Sequence, residues 1–332
     1  MATPDATSEG EVRAGSLVLA LFANPLNAQI LRAHADGPLR LNGLHERIGW
    51  AAHTTLRAAL ANLGALGALA PPRSGGSRFA VENELTAAGR EMLLVAEEVE
   101  AWLARAPQGP IAIDGEAAKA AVKALAGGWS STLMRSLANR AFTLTELDQL
   151  IPGVSYPSLE RRLTRMRSIG LIEPAMAGGR GTPYVVTEWL RRSIAPLVAA
   201  GRCERRYLPD RSAPITEVEV EGAFMLALGL VTLPQSANGT CMLAVHPEAA
   251  ETKINGRCLA GVTVEVERGE IVSCAPQVRE KPPTWALGSA ETWLDVVIDG
   301  GFEALSFSGA RPQLALDLVS GLHFALFGPA GT

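Results

Sequence analysis

The stretch Thr143–Pro174, TLTELDQLIPGVSYPSLERRLTRMRSIGLIEP, decides how the chain is read. Leu144 and Leu147 give a first helix one apolar face. Ile151-Pro152-Gly153 stops it, because proline has no amide proton to donate and glycine frees the backbone. Ser155 stands where the N-cap of a second helix belongs. From there Leu159, Leu163 and Met166 recur at helical spacing as one buried stripe, while Arg161, Arg162 and Arg165 fall on other faces. The pattern predicts helix, turn, helix and the start of a hairpin, the second helix having an apolar back and a cationic front. That division suits a helix that packs on its own domain while its side chains reach phosphates and base edges in a major groove.

Working outward, an offset of 103 residues lays the chain from Asn27 onto this segment without a gap. Leu41, Leu44, Ile48, Leu56, Leu60 and Gly67 fall on Leu144, Leu147, Ile151, Leu159, Leu163 and Gly170, so the chain holds two copies of one domain. A glycine-rich hairpin tip with arginine follows each, Arg73–Arg78 in the first and Gly178–Thr182 in the second. A long helix to about Arg105 follows the first tip. The copies are unequal. Opposite Arg161, Arg162 and Arg165 the first has Ala58, Ala59 and Asn62, and its exposed set is His53, Thr54, Thr55 and Arg57. Two such domains in one chain form a built-in pseudo-dimer able to span two half-sites. The poorer copy either grips DNA weakly or serves as a structural partner.

Gly127-Gly128-Trp129, Ile151 to Tyr156, Ser158 to Leu163 and Gly170 to Pro174 occur in an order that resembles winged helices of the HxlR type. Leu85 to Arg90 resembles the same family's end-of-wing motif. These are bacterial transcription regulators, usually homodimers, and the resemblance covers roughly residues 118–206. It implies double-stranded DNA as a partner. The expected contacts are Tyr156, Ser158, Arg161, Arg162, Arg165 and Arg180 in the second copy and His53, Thr54, Arg57 and Arg78 in the first. Gly128 stands where the family carries lysine, and no counterpart of the cysteine of redox-sensing members is present, which argues against thiol sensing.

A linker is expected at Arg205–Pro214, where two prolines interrupt helical continuation. Beyond it Ile215–Val220 alternates like a strand, and Phe224–Leu233 is an apolar run. Val262–Glu267 and Glu270–Cys274 form a hairpin about Arg268-Gly269. Ser289 caps a helix through Val297, Ala304–Ser308 returns as a strand, and Arg311–Phe327 closes as a helix with Leu314, Leu318 and Leu322 on one side. The run Gly288 to Leu294 and Phe307-Ser308-Gly309, within Trp285–Phe327, resembles a sterol-carrier-protein-2-like domain. That resemblance implies a sheet covered by helices around an apolar cavity that holds a small hydrophobic ligand of natural-product type. Phe224, Trp285, Trp293, Phe302, Phe307 and Phe324 are the expected lining, plain core packing being the alternative for each. The expected organisation is α+β: tandem winged helix-turn-helix domains at 15–110 and 111–208, then an α/β-sandwich domain at 209–332.

With 332 residues, 48% hydrophobic and 19% charged, the chain has the composition of a folded protein. Its net charge of −4 hides a segregation. Residues 1–110 hold 9 basic and 11 acidic side chains, residues 111–208 hold 14 and 8, and residues 209–332 hold 7 and 15. A basic middle and an acidic tail fit one module that faces DNA and one that faces something else, unless the clustering is chance. The apolar run Ser16–Phe22 is too short to span a bilayer and lacks a basic region before it, so a cytoplasmic protein without membrane contact is expected. Cys203, Cys241, Cys258 and Cys274 show no CxxC pairing and read as free thiols. There is no GxSxG, Walker loop, HExxH or helix-opening GxGxxG, and the five histidines form no ligand cluster, His246 and His323 reading as structural. No enzyme, metal or cofactor is expected. The expected function is a transcription regulator whose operator binding responds to the ligand. A sequestering or resistance protein that uses winged helices as scaffold is the alternative.

Overall fold

The computed structural model describes residues 15–70, 82–127, 130–151, 154–176, 181–213, 215–246, 260–276 and 282–328. Ser16 accepts the Leu19 amide and opens helix α1, Leu17–Leu21, and Asn24 followed by Pro25 opens α2, Pro25–Ala35. A two-residue strand β1, Leu39–Arg40, leads into α3, Leu41–Ile48, and α4, His53–Ala65. Strand β2, Glu82–Asn83, pairs antiparallel with β1, and α5, Ala87–Leu103, follows. The order then recurs with α6, Glu116–Ala126, α7, Ser130–Asn139, α8, Leu144–Leu150, and α9, Tyr156–Ser168. An antiparallel pair, β3, Ile172–Pro174, and β4, Tyr184–Val186, comes next, and α10, Glu188–Arg192, with α11, Ile194–Tyr207, stands where the first half has α5.

The recurrence extends to single hydrogen bonds. Gly67 and Gly170 end α4 and α9 at φ +73° and +84°, a region open chiefly to glycine. The next amide returns to the helix in each case, Ala68 to Leu63 O and Leu171 to Met166 O, both at 2.9 Å. Thr86 then donates its hydroxyl to Gly67 O and its amide to Ala68 O, and Thr187 does the same to Gly170 O and Leu171 O. Each threonine finally caps the following helix, accepting the amide of Gly89 or Leu190. Counterparts also pack on counterparts, α5 against α11 and α1 against α6. Trp102 and Trp189 clamp the halves together: their rings stack at 4.5 Å, and each indole N–H donates to the other residue's carbonyl, at 2.9 and 2.8 Å.

Three expectations for the region after α11 are corrected. Arg205 and Arg206 belong to α11, which runs to Tyr207, so the break is shorter than the Arg205–Pro214 linker. Ile215–Val220 is not a strand. Thr216 and Glu219 form a reciprocal capping box that opens α12, Glu217–Ala227, and satisfied end groups outweigh a few alternating side chains. Strands β5, Gly239–His246, β6, Ala260–Glu267, β7, Glu270–Ala275, and β8, Thr284–Ser289, precede α13, Ala290–Asp299, which Ser289 caps as expected. Phe302–Ala304 is a 3-10 turn, so strand β9 starts later than expected, at Ser306–Gly309, and α14, Pro312–Phe327, closes the chain. The sheet order is β7-β6-β5-β8-β9, antiparallel except between β5 and β8. The β6–β7 hairpin turns at Arg268 and Gly269, both at positive φ. Helices α12, α13 and α14 contact the central strands, and the whole is a mixed α+β fold. Among the described residues no helix is long and apolar enough to cross a membrane.

One buried group makes the first half sensitive to acid. His34 of α2 is 2% exposed; its Nδ1 lies 2.8 Å from Ile30 O, and its Nε2 has no partner among the described residues. Burial pushes its pKa below the ordinary 6.5, against the pull of the Ile30 bond, and the Arg47 charge adds to the depression. Below pH 6.5 the unfolded chain takes up a proton that the folded one refuses, so stability present at neutral pH is lost as pH falls. The counterpart position in the second half is Leu137, also buried. His34→Leu is therefore expected to flatten the acid limb of a plot of thermal midpoint against pH.

Candidate functional site

Helix α9 divides as its sequence demands. Leu159, Leu163 and Met166 are 1–2% exposed, while Tyr156, Arg161, Arg165 and Arg167 are exposed and Ser158 is half-buried. Arg161 turns its Nε back to Pro157 O, and Arg161, Arg165 and Arg167 make no ion pair among the described residues. Arg162 departs from the expected cationic front: it is half-buried, and loss of solvent, aided by the charge of Arg161, lowers its pKa. Ser155 occupies the N-cap position with extended backbone, but its side chain accepts no amide. The turn before it starts from a well-held α8, because Thr143 and Glu146 form a capping box and Arg140 pairs with Glu146 at 3.1 Å. Those interactions hold the Glu146 carboxyl below its usual range, the Thr143 amide contributing most.

In the first half Thr54, Thr55 and Arg57 of α4 are exposed, and His53 is half-buried against His45, ring centroids 4.2 Å apart. Ala59 is buried, so only Ala58 and Asn62 stand open where α9 has arginines. The asymmetry read from sequence thus holds at the surface. Arg78 and Arg180, like the tips Arg73–Arg78 and Gly178–Arg180, the pair Gly128-Trp129 and the turn residues Pro152-Gly153, lie outside the described residues.

The charge segregation has a second explanation that sequence did not offer, because much of it is internal pairing. Along α11, Arg202 meets Asp299 at 2.6 Å and Glu91 at 3.3 Å, Arg205 meets Glu291 at 3.2 Å, and Arg206 meets Asp295 at 2.7 Å. One helix of the basic segment is thereby fastened to α5 of the first half and to α13 of the acidic tail. Farther along, Arg135 of α7 gives Nε and Nη2 to Glu221 Oε1, at 3.0 and 2.5 Å, and the other Glu221 oxygen accepts Gly261 N at 3.0 Å. Glu221 is buried in α12. On α9, Arg161, Arg165 and Arg167 make no such pair among the described residues.

A cavity of about 130 Å³ opens where the tail meets the second half. Its walls come from α6 and α7 (Leu125, Met134), from α11 (Val198) and from α12 and α13 (Phe224, Trp293). Of the expected lining, only Phe224 and Trp293 reach it, packed edge to face at 4.7 Å. The other four expectations are corrected. Trp285 alternates with buried Thr284 and Ala286 on β8 and so points to the sheet face away from Ala286 and the helices. Phe307 is half-buried on β9 beside Ala286, at the sheet edge. Phe302 packs on His323, and Phe324 is 62% exposed. Missed by sequence were Arg135 and Glu221; the available signal was a carboxylate set beside the apolar run Gly222–Ala227, which needs a partner once buried.

Compared with protein-family models and with curated proteins, the chain matches none.

The described thiols are unreactive by environment. Burial pushes Cys203 and Cys241 up to about 12 and Cys274 to about 11, so little thiolate exists at neutral pH. Cys258 lies outside the described residues. No group of three or more metal-ligating side chains occurs among the described residues.

Proposed function

We propose that the chain is a DNA-binding transcription regulator with two tandem winged helix-turn-helix domains and a C-terminal domain of sterol-carrier-protein-2-like kind that responds to a small hydrophobic molecule. The observation that carries this reading is α9, whose buried stripe fixes it to its domain while Arg161, Arg165 and Arg167 face outward without carboxylate partners among the described residues. Arginines elsewhere in the same segment are consumed by Glu91, Glu221, Glu291, Asp295 and Asp299, which makes the open set on α9 selective. The HxlR-like order of short motifs supports the same reading, as does the packing of α5 on α11 and of α1 on α6, which holds the two copies together in one chain.

The test is a mobility-shift titration with the chain's own upstream DNA over a range of salt. Arg161→Ala with Arg165→Ala is expected to lower the salt slope by about 1 for each phosphate no longer held, or to cost about 1–3 kcal/mol where a base edge is no longer read. Arg57→Ala is expected to do much less. Equal losses in the two halves would remove the asymmetric reading. A ligand coupled to DNA release by about 1–3 kcal/mol shifts operator affinity roughly 5- to 150-fold, and DNA must shift ligand affinity by the same factor. Ligand affinity indifferent to DNA would favour sequestration instead.

A further inference from the structure

We infer that the cavity between α6–α7 and α12–α14 is a binding site for an uncharged, apolar molecule the size of a single ring. This deepens the proposed function and rests on it for the regulatory consequence; the site itself can be tested without DNA. The volume, about 130 Å³, is close to that of apolar cavities of about 150 Å³ that take up benzene. The chemistry of the wall selects against charge. Ser16 gives its hydroxyl to Glu204, Arg135 is spent on Glu221, and Glu219 accepts from the amide and hydroxyl of Thr216. Arg135 and Glu219 are held in these pairs at the wall and the rest of the lining is almost wholly apolar, so a charged ligand would lose water with little to replace it. The ring surface of Phe224 and Trp293 remains, with the Trp293 indole N–H committed to Ala244 O at 2.9 Å.

The position of the cavity gives the ligand something to act on. Its occupant touches α7, the helix before α8 and α9, and α12, the first helix of the tail. These two helices approach so closely that a Cβ on Gly222 would lie 3.1 Å from Arg135 Cβ. An occupant that widens the cavity therefore works against the Arg135–Glu221 pair, and one that fits it holds α7 and α12 together.

The experiment is calorimetric titration of the full chain with toluene and with its charged counterparts benzoate and benzylammonium. Toluene is expected to bind at least about tenfold more tightly than either ion, a difference of about 1.4 kcal/mol. Ala223→Leu and Val198→Phe fill the cavity from two walls, and each is expected to abolish toluene binding while cooperative thermal unfolding persists. Toluene binding undiminished in both filled variants, or benzoate binding as tight as toluene, would overturn the site. Loss of the site leaves operator binding by the unliganded chain untouched. Toluene binding that leaves operator affinity unchanged removes the regulatory reading and leaves the site standing.

Discussion

Leu163→Ala is expected to lower the stability of the second half by roughly 2–5 kcal/mol, because it empties the middle of the α9 stripe. Leu163 is 1% exposed, between Leu159 and Met166 at 1% and 2%, so the site has little freedom to collapse onto solvent. Chemical denaturation followed by circular dichroism would record the loss as a lower midpoint. On the proposed function, operator binding falls with it, since the stripe holds the helix that carries Arg161 and Arg165. A midpoint equal to that of the parent would mean that the packing of α9 contributes nothing to the fold.

Arg135→Ala is expected to cost about 3 kcal/mol, the lower end of the range for breaking a buried ion pair, because the arginine is 40% exposed while Glu221 is 7% exposed. Among the described residues, the loss leaves a carboxylate in α12 with only the Gly261 amide to serve it. Glu221→Gln combined with Arg135→Met is expected to recover most of the stability, since an apolar or neutral pair incurs no such desolvation. A double-mutant cycle in thermal denaturation would measure this. A single-variant cost no greater than about 0.5 kcal/mol, the usual effect of a surface change, would refute the role given to the pair.

Much of the first two-thirds was legible in the sequence because its signals are local. The 3.6-residue spacing of Leu159, Leu163 and Met166, with Gly170 just past the last helical residue Ser168, carries helix, face and end together. The same spacing could have excluded Phe324: Leu314, Leu318 and Leu322 mark the buried side of α14, and Phe324 lies nearly opposite Leu322. Ile215–Val220 misled because the alternation of apolar side chains was weighed before the Thr216–Glu219 capping box. The cavity was beyond reach for a different reason. Its walls come from Ser16 and from helices scattered between Leu125 and Leu326, and no spacing rule connects residues that meet only when three parts of the chain have packed. The ion pairs of α11 are equally non-local, Arg206 and Glu91 lying 115 residues apart.

The clamp of α5 on α11, with Trp102 and Trp189 trading indole bonds, joins two halves of one polypeptide rather than two molecules. Its integrity is consequently independent of dilution: there is no association constant to satisfy, as there is for an obligate homodimer whose stability depends on protomer concentration. If the chain reads paired half-sites as proposed, bringing its two readers together needs no encounter between molecules and so persists at low copy number. Nor are joined halves bound to stay identical. With arginines on α9 and alanines on α4, the pair has a head and a tail, and a site that it fits best would carry an arrow rather than a palindrome.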